Sequence, residues 1–187
     1  MAAIMQNGGE RGARWRVAVW GMAALFLLLP LIAMQFTAEV TWTGSDFAVF
    51  GAMLLAACGS YELAARMTGS TAYRAAAGVA IAAAFLLVWV NLAVGIIGSE
   101  NDPANLMFGG VLGVGLIGAL VARFQPQGMA RALVATALAQ ALVVVVALIA
   151  VTGELAPLFV LSGFFVAMWL LSAGLFRKAA REQVSQG

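Results

Sequence analysis

Apolar residues gather along the chain into six long runs separated by short polar stretches. The runs cover residues 17–36 ("VAVWGMAALFLLLPLIAMQF"), 47–65 ("FAVFGAMLLAACGSYELAA"), 75–97 ("AAAGVAIAAAFLLVWVNLAVGII"), 105–122 ("NLMFGGVLGVGLIGALVA"), 132–151 ("ALVATALAQALVVVVALIAV") and 158–176 ("LFVLSGFFVAMWLLSAGLF"). A helix needs about 20 residues, at about 1.5 Å each, to cross roughly 30 Å of hydrocarbon, and every run is close to that length. The pattern predicts an all-α fold, a polytopic transmembrane bundle of six helices. The connections "TGST", "SENDPAN", "QPQG" and "TGELAP" carry the Gly, Pro, Asn and Ser expected where a chain reverses. Asp102 followed by Pro103 reads as an N-cap with proline at the first helical position, which separates the third run from the fourth. Pro30 predicts a kink in the first run. Three domains follow: an N-terminal segment 1–16, a membrane domain 17–176 and a C-terminal tail 177–187.

Composition agrees with that pattern. Of 187 residues, 64% are hydrophobic and 10% charged, and the mean hydropathy is +1.00. Such a chain has too little polar surface to cover a water-soluble globule. The net charge of +2 comes from basic residues scattered between apolar runs, so no contiguous phosphate-tracking patch exists and a nucleic-acid partner is excluded. Cys58 is the only cysteine, which rules out a disulfide within the chain. Three arginines before an apolar run also fit a signal peptide, but no small-x-small cleavage site follows Met34, and a retained first span is expected.

Charge fixes the expected threading. If the six runs alternate in direction, one side of the membrane receives Arg11, Arg14 and Arg16, then Arg66 and Arg74, then Arg123 and Arg131, then Arg177, Lys178 and Arg181. The other side receives no base and holds Glu39, Asp46, Glu100, Asp102 and Glu154. Short cytoplasmic loops are enriched in Lys and Arg, so both termini are expected in the cytoplasm, with Trp15, Tyr61 and Tyr73 near that boundary and Trp42 near the opposite one. Each internal arginine is expected to cap a helix end and to reach the headgroups with its long stem.

The phrase "ELAARMTGSTAYRAA" and the phrase "ALVARFQPQGMARAL", 57 positions later, match at Leu63 and Leu120, Ala65 and Ala122, Arg66 and Arg123, Arg74 and Arg131, and Ala75 and Ala132. Two readings fit. Either runs two and three are duplicated as runs four and five, a parallel repeat about an axis along the membrane normal, or Ala, Leu and Arg recur at helix ends through composition alone.

Candidate chemistry is defined first by what is missing. The chain has no histidine, which removes imidazole-based catalysis and ordinary haem, zinc and copper ligation. Its one lysine, Lys178, follows the last run, so no buried Schiff base is expected. No enzyme activity and no cofactor are expected. Intramembrane polar candidates are Gln140, Asn91 and Glu62. Gln140 lies near the midplane, where its amide is expected to bond a neighbouring helix, with lining a solute path as the alternative. Asn91, with Trp89, is expected in helix packing, and Glu62 in an i to i+4 pair with Arg66. Glu100, Asn101 and Asp102 read as a solvated turn, with cation or partner binding as the alternative.

Small residues carry the packing signal. In "FGGVLGVGLIGAL", Gly109 and Gly113 form a GxxxG step, and Gly115 with Ala119 and Gly118 with Ala122 add small-xxx-small pairs. Ala76, Ala80 and Ala84 repeat the spacing in the third run, and Ala56, Ser60 and Ala64 in the second. Such spacing lets backbones approach closely in lipid.

The stretch "VNLAVGIIGSENDPANLMF", residues 90–108, resembles small multi-span bacterial inner-membrane proteins with no assigned activity. The resemblance implies an inner-membrane location and carries over no functional residue. A helical assembly or accessory subunit is the favoured reading, its partners being membrane lipids together with further copies of itself or a larger membrane complex. The alternative is a small transporter or channel for an uncharged or lipid-like solute.

Overall fold

A computed structural model of the chain describes the backbone of residues 2–99, 101–150 and 156–186 and the side chains of residues 17–99, 101–149 and 156–185. The side chains of Glu10, Arg11, Arg14, Trp15 and Arg16, all of Glu100, and the turn containing Glu154 lie outside the described residues. Within them the six apolar runs are six α-helices: α1 (Ala2–Phe36), α2 (Gly44–Met67), α3 (Thr71–Ala93), α4 (Leu106–Val121), α5 (Pro126–Ala150) and α6 (Ala156–Gln186). A single 3-10 turn, Pro103–Asn105, precedes α4, and no strand occurs among the described residues. All six helices are long and apolar enough to cross a membrane, which marks a multi-pass membrane protein.

The helix ends depart from the expected runs for identifiable reasons. α3 stops at Ala93 rather than at residue 97, because Gly95 (φ 73°) and Gly98 (φ 65°) take left-handed conformations and turn the chain. Asn105 holds that turn: its Oδ1 accepts from the amides of Ile96 (3.0 Å) and Ile97 (2.9 Å), and its Nδ2 donates to the carbonyls of Ile97 (3.0 Å) and Ser99 (2.7 Å). Ile96 and Ile97 are buried although they are not helical. Asp102 caps the 3-10 turn, its Oδ1 accepting from Ala104 N at 2.8 Å with Pro103 next in the chain.

α5 starts at Pro126, six positions before the expected boundary, so Arg131 lies inside it. α6 has 31 residues, about 46 Å at about 1.5 Å per residue, and continues as helix through Arg177, Lys178 and Arg181 to Gln186. Residues 177–186 thus continue the helix of α6. α1 likewise runs from Ala2 through Pro30 without a break.

The chain divides into two compact units, Met1–Leu63 and Ala64–Gly187. In the first, α1 and α2 meet thinly. The Trp20 indole donates to Glu62 Oε2 at 3.4 Å, Leu27 lies against Gly51, and Trp42 packs edge-on against Phe47 (5.2 Å) and Phe50 (5.4 Å). Its buried apolar residues are Ala23, Phe50 and Leu54.

The second unit has a continuous core. α6 packs against both α5 and α3, and α5 packs also against α4. Buried positions on α6 include Leu158, Ser162, Phe165, Trp169, Ser172, Phe176 and Ala179, alternating steps of four and three, with Ala173 buried beside them. On α3 the same spacing runs through Tyr73, Ala76, Ala80, Ala83 and Leu87. A repeat averaging 3.5 residues keeps one seam facing a neighbour and gives shallow, coiled-coil-like crossings. Where α3 and α6 meet, Phe176 packs edge-on against Tyr73 and Ser172 reaches Ala76. Ala76, Ala83, Ala137 and Ala147 are buried while Leu116, Leu138, Leu142 and Leu171 are exposed. Burying small residues while exposing large apolar ones at these positions is what lipid permits and water does not.

Candidate functional site

The ends of α3 to α6 that meet near the α4–α5 turn are tied together by side chains. Ser70 caps α3, accepting from Tyr73 N at 3.2 Å and donating to Glu182 Oε2 on the α6 extension at 3.2 Å. The buried Tyr73 donates its hydroxyl to Phe124 O at 2.8 Å and meets Phe176 edge-on at 4.9 Å. Arg74 folds back, its Nε and Nη2 donating to Thr68 O at 3.1 and 2.8 Å, just past the end of α2. Its sequence counterpart Arg131 is exposed on α5 and does not bind a turn carbonyl in this way. Arg66 lies in the last turn of α2, whereas Arg123 lies in the α4–α5 turn with φ 49°, next to Phe124 at φ 58°. Two successive non-glycine residues in the left-handed region cost on the order of 1–2 kcal/mol each, offset here by the bond from Tyr73. Shifted by 57 positions, the ends of α2 and α3 at Met67 and Thr71 would fall at 124 and 128, but α4 ends at Val121 and α5 begins at Pro126. The matched arginines therefore occupy different places relative to their turns.

The glycines of α4 divide between two surroundings. A Cβ on Gly118 would lie 2.7 Å from Ala132 Cβ, and one on Gly115 would lie 3.1 Å from Thr136 Oγ1. At the hairpin end, a Cβ on Gly128 would lie 2.6 Å from Ala122 Cβ. Gly128, Ala132 and Thr136 thus form a stripe on α5, spaced by four, that receives α4. Gly109, Gly110 and Gly113 have nothing within 4 Å of such an added carbon. On α3, Ala76 is fully buried and Ala80 and Ala84 are half-buried against the core.

The α5 stripe continues by one more turn into Gln140. Gln140 is 0% exposed, its Nε2 donates to Ser162 Oγ on α6 at 3.5 Å, and its Oε1 has no partner among the described residues. Thr136 donates to Ala132 O at 2.9 Å. Toward the α4–α5 turn, Ser172 donates to Ala76 O on α3 at 2.7 Å. These contacts set the antiparallel registers. Counting from Gln140–Ser162, Thr136–Gly115 and Ser172–Ala76 brings Val111, Gln140 and Ser162 to one level, with Leu87 within one residue of it on α3, and all four are buried. The level lies near the middle of α5.

Asn91 donates to Leu87 O of its own helix at 2.7 Å rather than to a neighbour, and its Oδ1 is buried without a partner among the described residues. Glu62 belongs to the first unit and accepts from Trp20. Sequence reasoning did not single out Gly128, Ala132, Thr136, Ser162, Ser172 or Asn105. The spacing of Gly128, Ala132 and Thr136 was a readable signal for three of them, and Asn105 offered none.

Among the described residues, no three His, Cys, Asp or Glu side chains come together in a way that could hold a metal ion. Compared with family models, curated proteins and solved structures, the chain finds no match.

Proposed function

We propose that this is a non-enzymatic, multi-pass protein of the bacterial inner membrane, with both termini in the cytoplasm, that acts as a helical assembly or accessory subunit. The observation that carries the reading is the division of the α4 glycines. Gly115 and Gly118 are used against α5, whereas Gly109 and Gly113 keep GxxxG spacing on an open face, which favours a helix from a further copy or from a larger complex. Orientation draws on all ten bases falling on one side of the expected threading. The non-enzymatic reading draws on the missing histidine and the position of Lys178.

The experiment is isolation from native membranes in mild detergent. Copurification at fixed stoichiometry, weakened at least tenfold by Gly109→Ile with Gly113→Ile, is the expected result. A monodisperse lone protein whose association is indifferent to those changes would remove the reading.

A small transporter for an uncharged or lipid-like solute is the second reading, and the unpartnered Oε1 of buried Gln140 favours it. A duplicated pair of helices would add to that case, but the offset helix ends weigh against duplication. Loss of solute flux in Gln140→Leu, with an unchanged oligomeric state, would turn the choice toward transport.

A further inference from the structure

The middle layer of the second unit contains more polar atoms than the protein pairs. The Gln140 Nε2 to Ser162 Oγ distance of 3.5 Å is at the outer limit of a hydrogen bond, and Gln140 Oε1 is left over. Turning the amide over does not remove the deficit, since its oxygen would then face the Ser162 hydroxyl and both N–H donors would lack an acceptor. One turn along α5, Thr136 spends its hydroxyl proton on Ala132 O and keeps oxygen lone pairs to offer. Leu87 and Val111 complete the level with carbon alone. A buried amide atom without a partner is costly in apolar surroundings, and proteins commonly satisfy such atoms with an ordered water.

We propose that Gln140, Ser162 and Thr136 form a binding site for one small uncharged guest, a water molecule, in the centre of the α3–α6 bundle. The water donates one proton to Gln140 Oε1 and the other to Thr136 Oγ1, and accepts the Ser162 hydroxyl proton. That gives it three bonds, within the two to four that a buried water makes. Neutrality follows from the donor set. Three uncharged oxygens fall well short of the shell needed to replace the hydration of a cation, and no carboxylate stands in the layer to balance one. Trp169, two turns along the same face of α6, has a buried N–H without a partner among the described residues. The site belongs to the bundle itself and holds under either functional reading.

The test uses the full-length protein in lipid bilayers, with glutamine carrying a labelled side-chain carbonyl. Subtracting the spectrum of Gln140→Leu isolates the Gln140 band. The expected band lies at the lower frequency of a hydrogen-bonded amide and shifts in heavy water. Magnetisation transfer from water protons to the Gln140 carbonyl carbon should exceed that to Leu87, at the same depth, by at least threefold, and Ser162→Ala should reduce it by a similar factor. A free-carbonyl frequency indifferent to heavy water, or transfer no greater than at Leu87, overturns the site. Should Gln140→Leu fail to fold, Ser162→Ala and Thr136→Val serve instead. A shift of the glutamine band in these variants supports the bridge, and identical spectra in both overturn it.

Discussion

The two sides of α4 contain the same residue and do different things. Toward α5, Gly115 and Gly118 are glycines because a methyl group would collide with Thr136 or Ala132. On the other side, Gly109 and Gly113 meet nothing that requires them to be small. A GxxxG step therefore does not say which helix it serves. The partner's own stripe decides, and α5 supplies one in Gly128, Ala132 and Thr136.

Substitution should separate the two sides by size of effect, measured as unfolding free energy in mixed detergent. Gly118→Leu should cost about 3 kcal/mol or more, since the added carbon meets Ala132 Cα at 3.3 Å as well as its Cβ, and backbone cannot yield as a rotamer can. Gly118→Ala should cost about 1–3 kcal/mol, and Ala132→Gly in the same chain should recover a good part of it; absence of recovery would mean the two residues are not in contact. Gly115→Ala should cost about 1 kcal/mol, because the obstacle at 3.1 Å is the Thr136 hydroxyl, which can rotate at the expense of its bond to Ala132 O. Gly109→Ala and Gly113→Ala should change the stability of the isolated chain by no more than about 0.5 kcal/mol, or raise it slightly through the better helix propensity of alanine. A loss at Gly113 as large as that at Gly118 would erase the distinction between the sides.

Much of the architecture was readable because hydropathy integrates along the chain. Six apolar runs became six helices, and Asp102–Pro103 marked a real start. Gln140 lies 3.5 Å from Ser162 Oγ on α6. What hydropathy cannot resolve is direction around a helix axis. In lipid, inside and outside are both apolar, so Ala137 and Leu138 count alike although one is buried and the other exposed. Neither polarity nor size alone marks the interior, since Phe108, Phe165 and Phe176 are buried along with Ala76 and Ala147; fit is set only relative to a partner whose register is unknown beforehand. The end of α3 was misplaced for a related reason. Ile96 and Ile97 are as apolar as the helix before them, but they are buried under a loop that Asn105 holds from eight or nine positions away. The paired arginines shared letters and spacing, yet the helix ends differ by two or three residues, and local caps rather than the arginines determine where each turn falls.

The position of α6 between α3 and α5 bears on biogenesis. Ribosomal synthesis delivers α3, α4 and α5 to the bilayer before the helix that joins them, so the alanine row of α3 and the Gln140 layer of α5 first meet lipid chains. Cohesion of the bundle is thus a late event, completed when α6 docks, and a nascent chain halted before α6 would leave the Gln140 amide without Ser162.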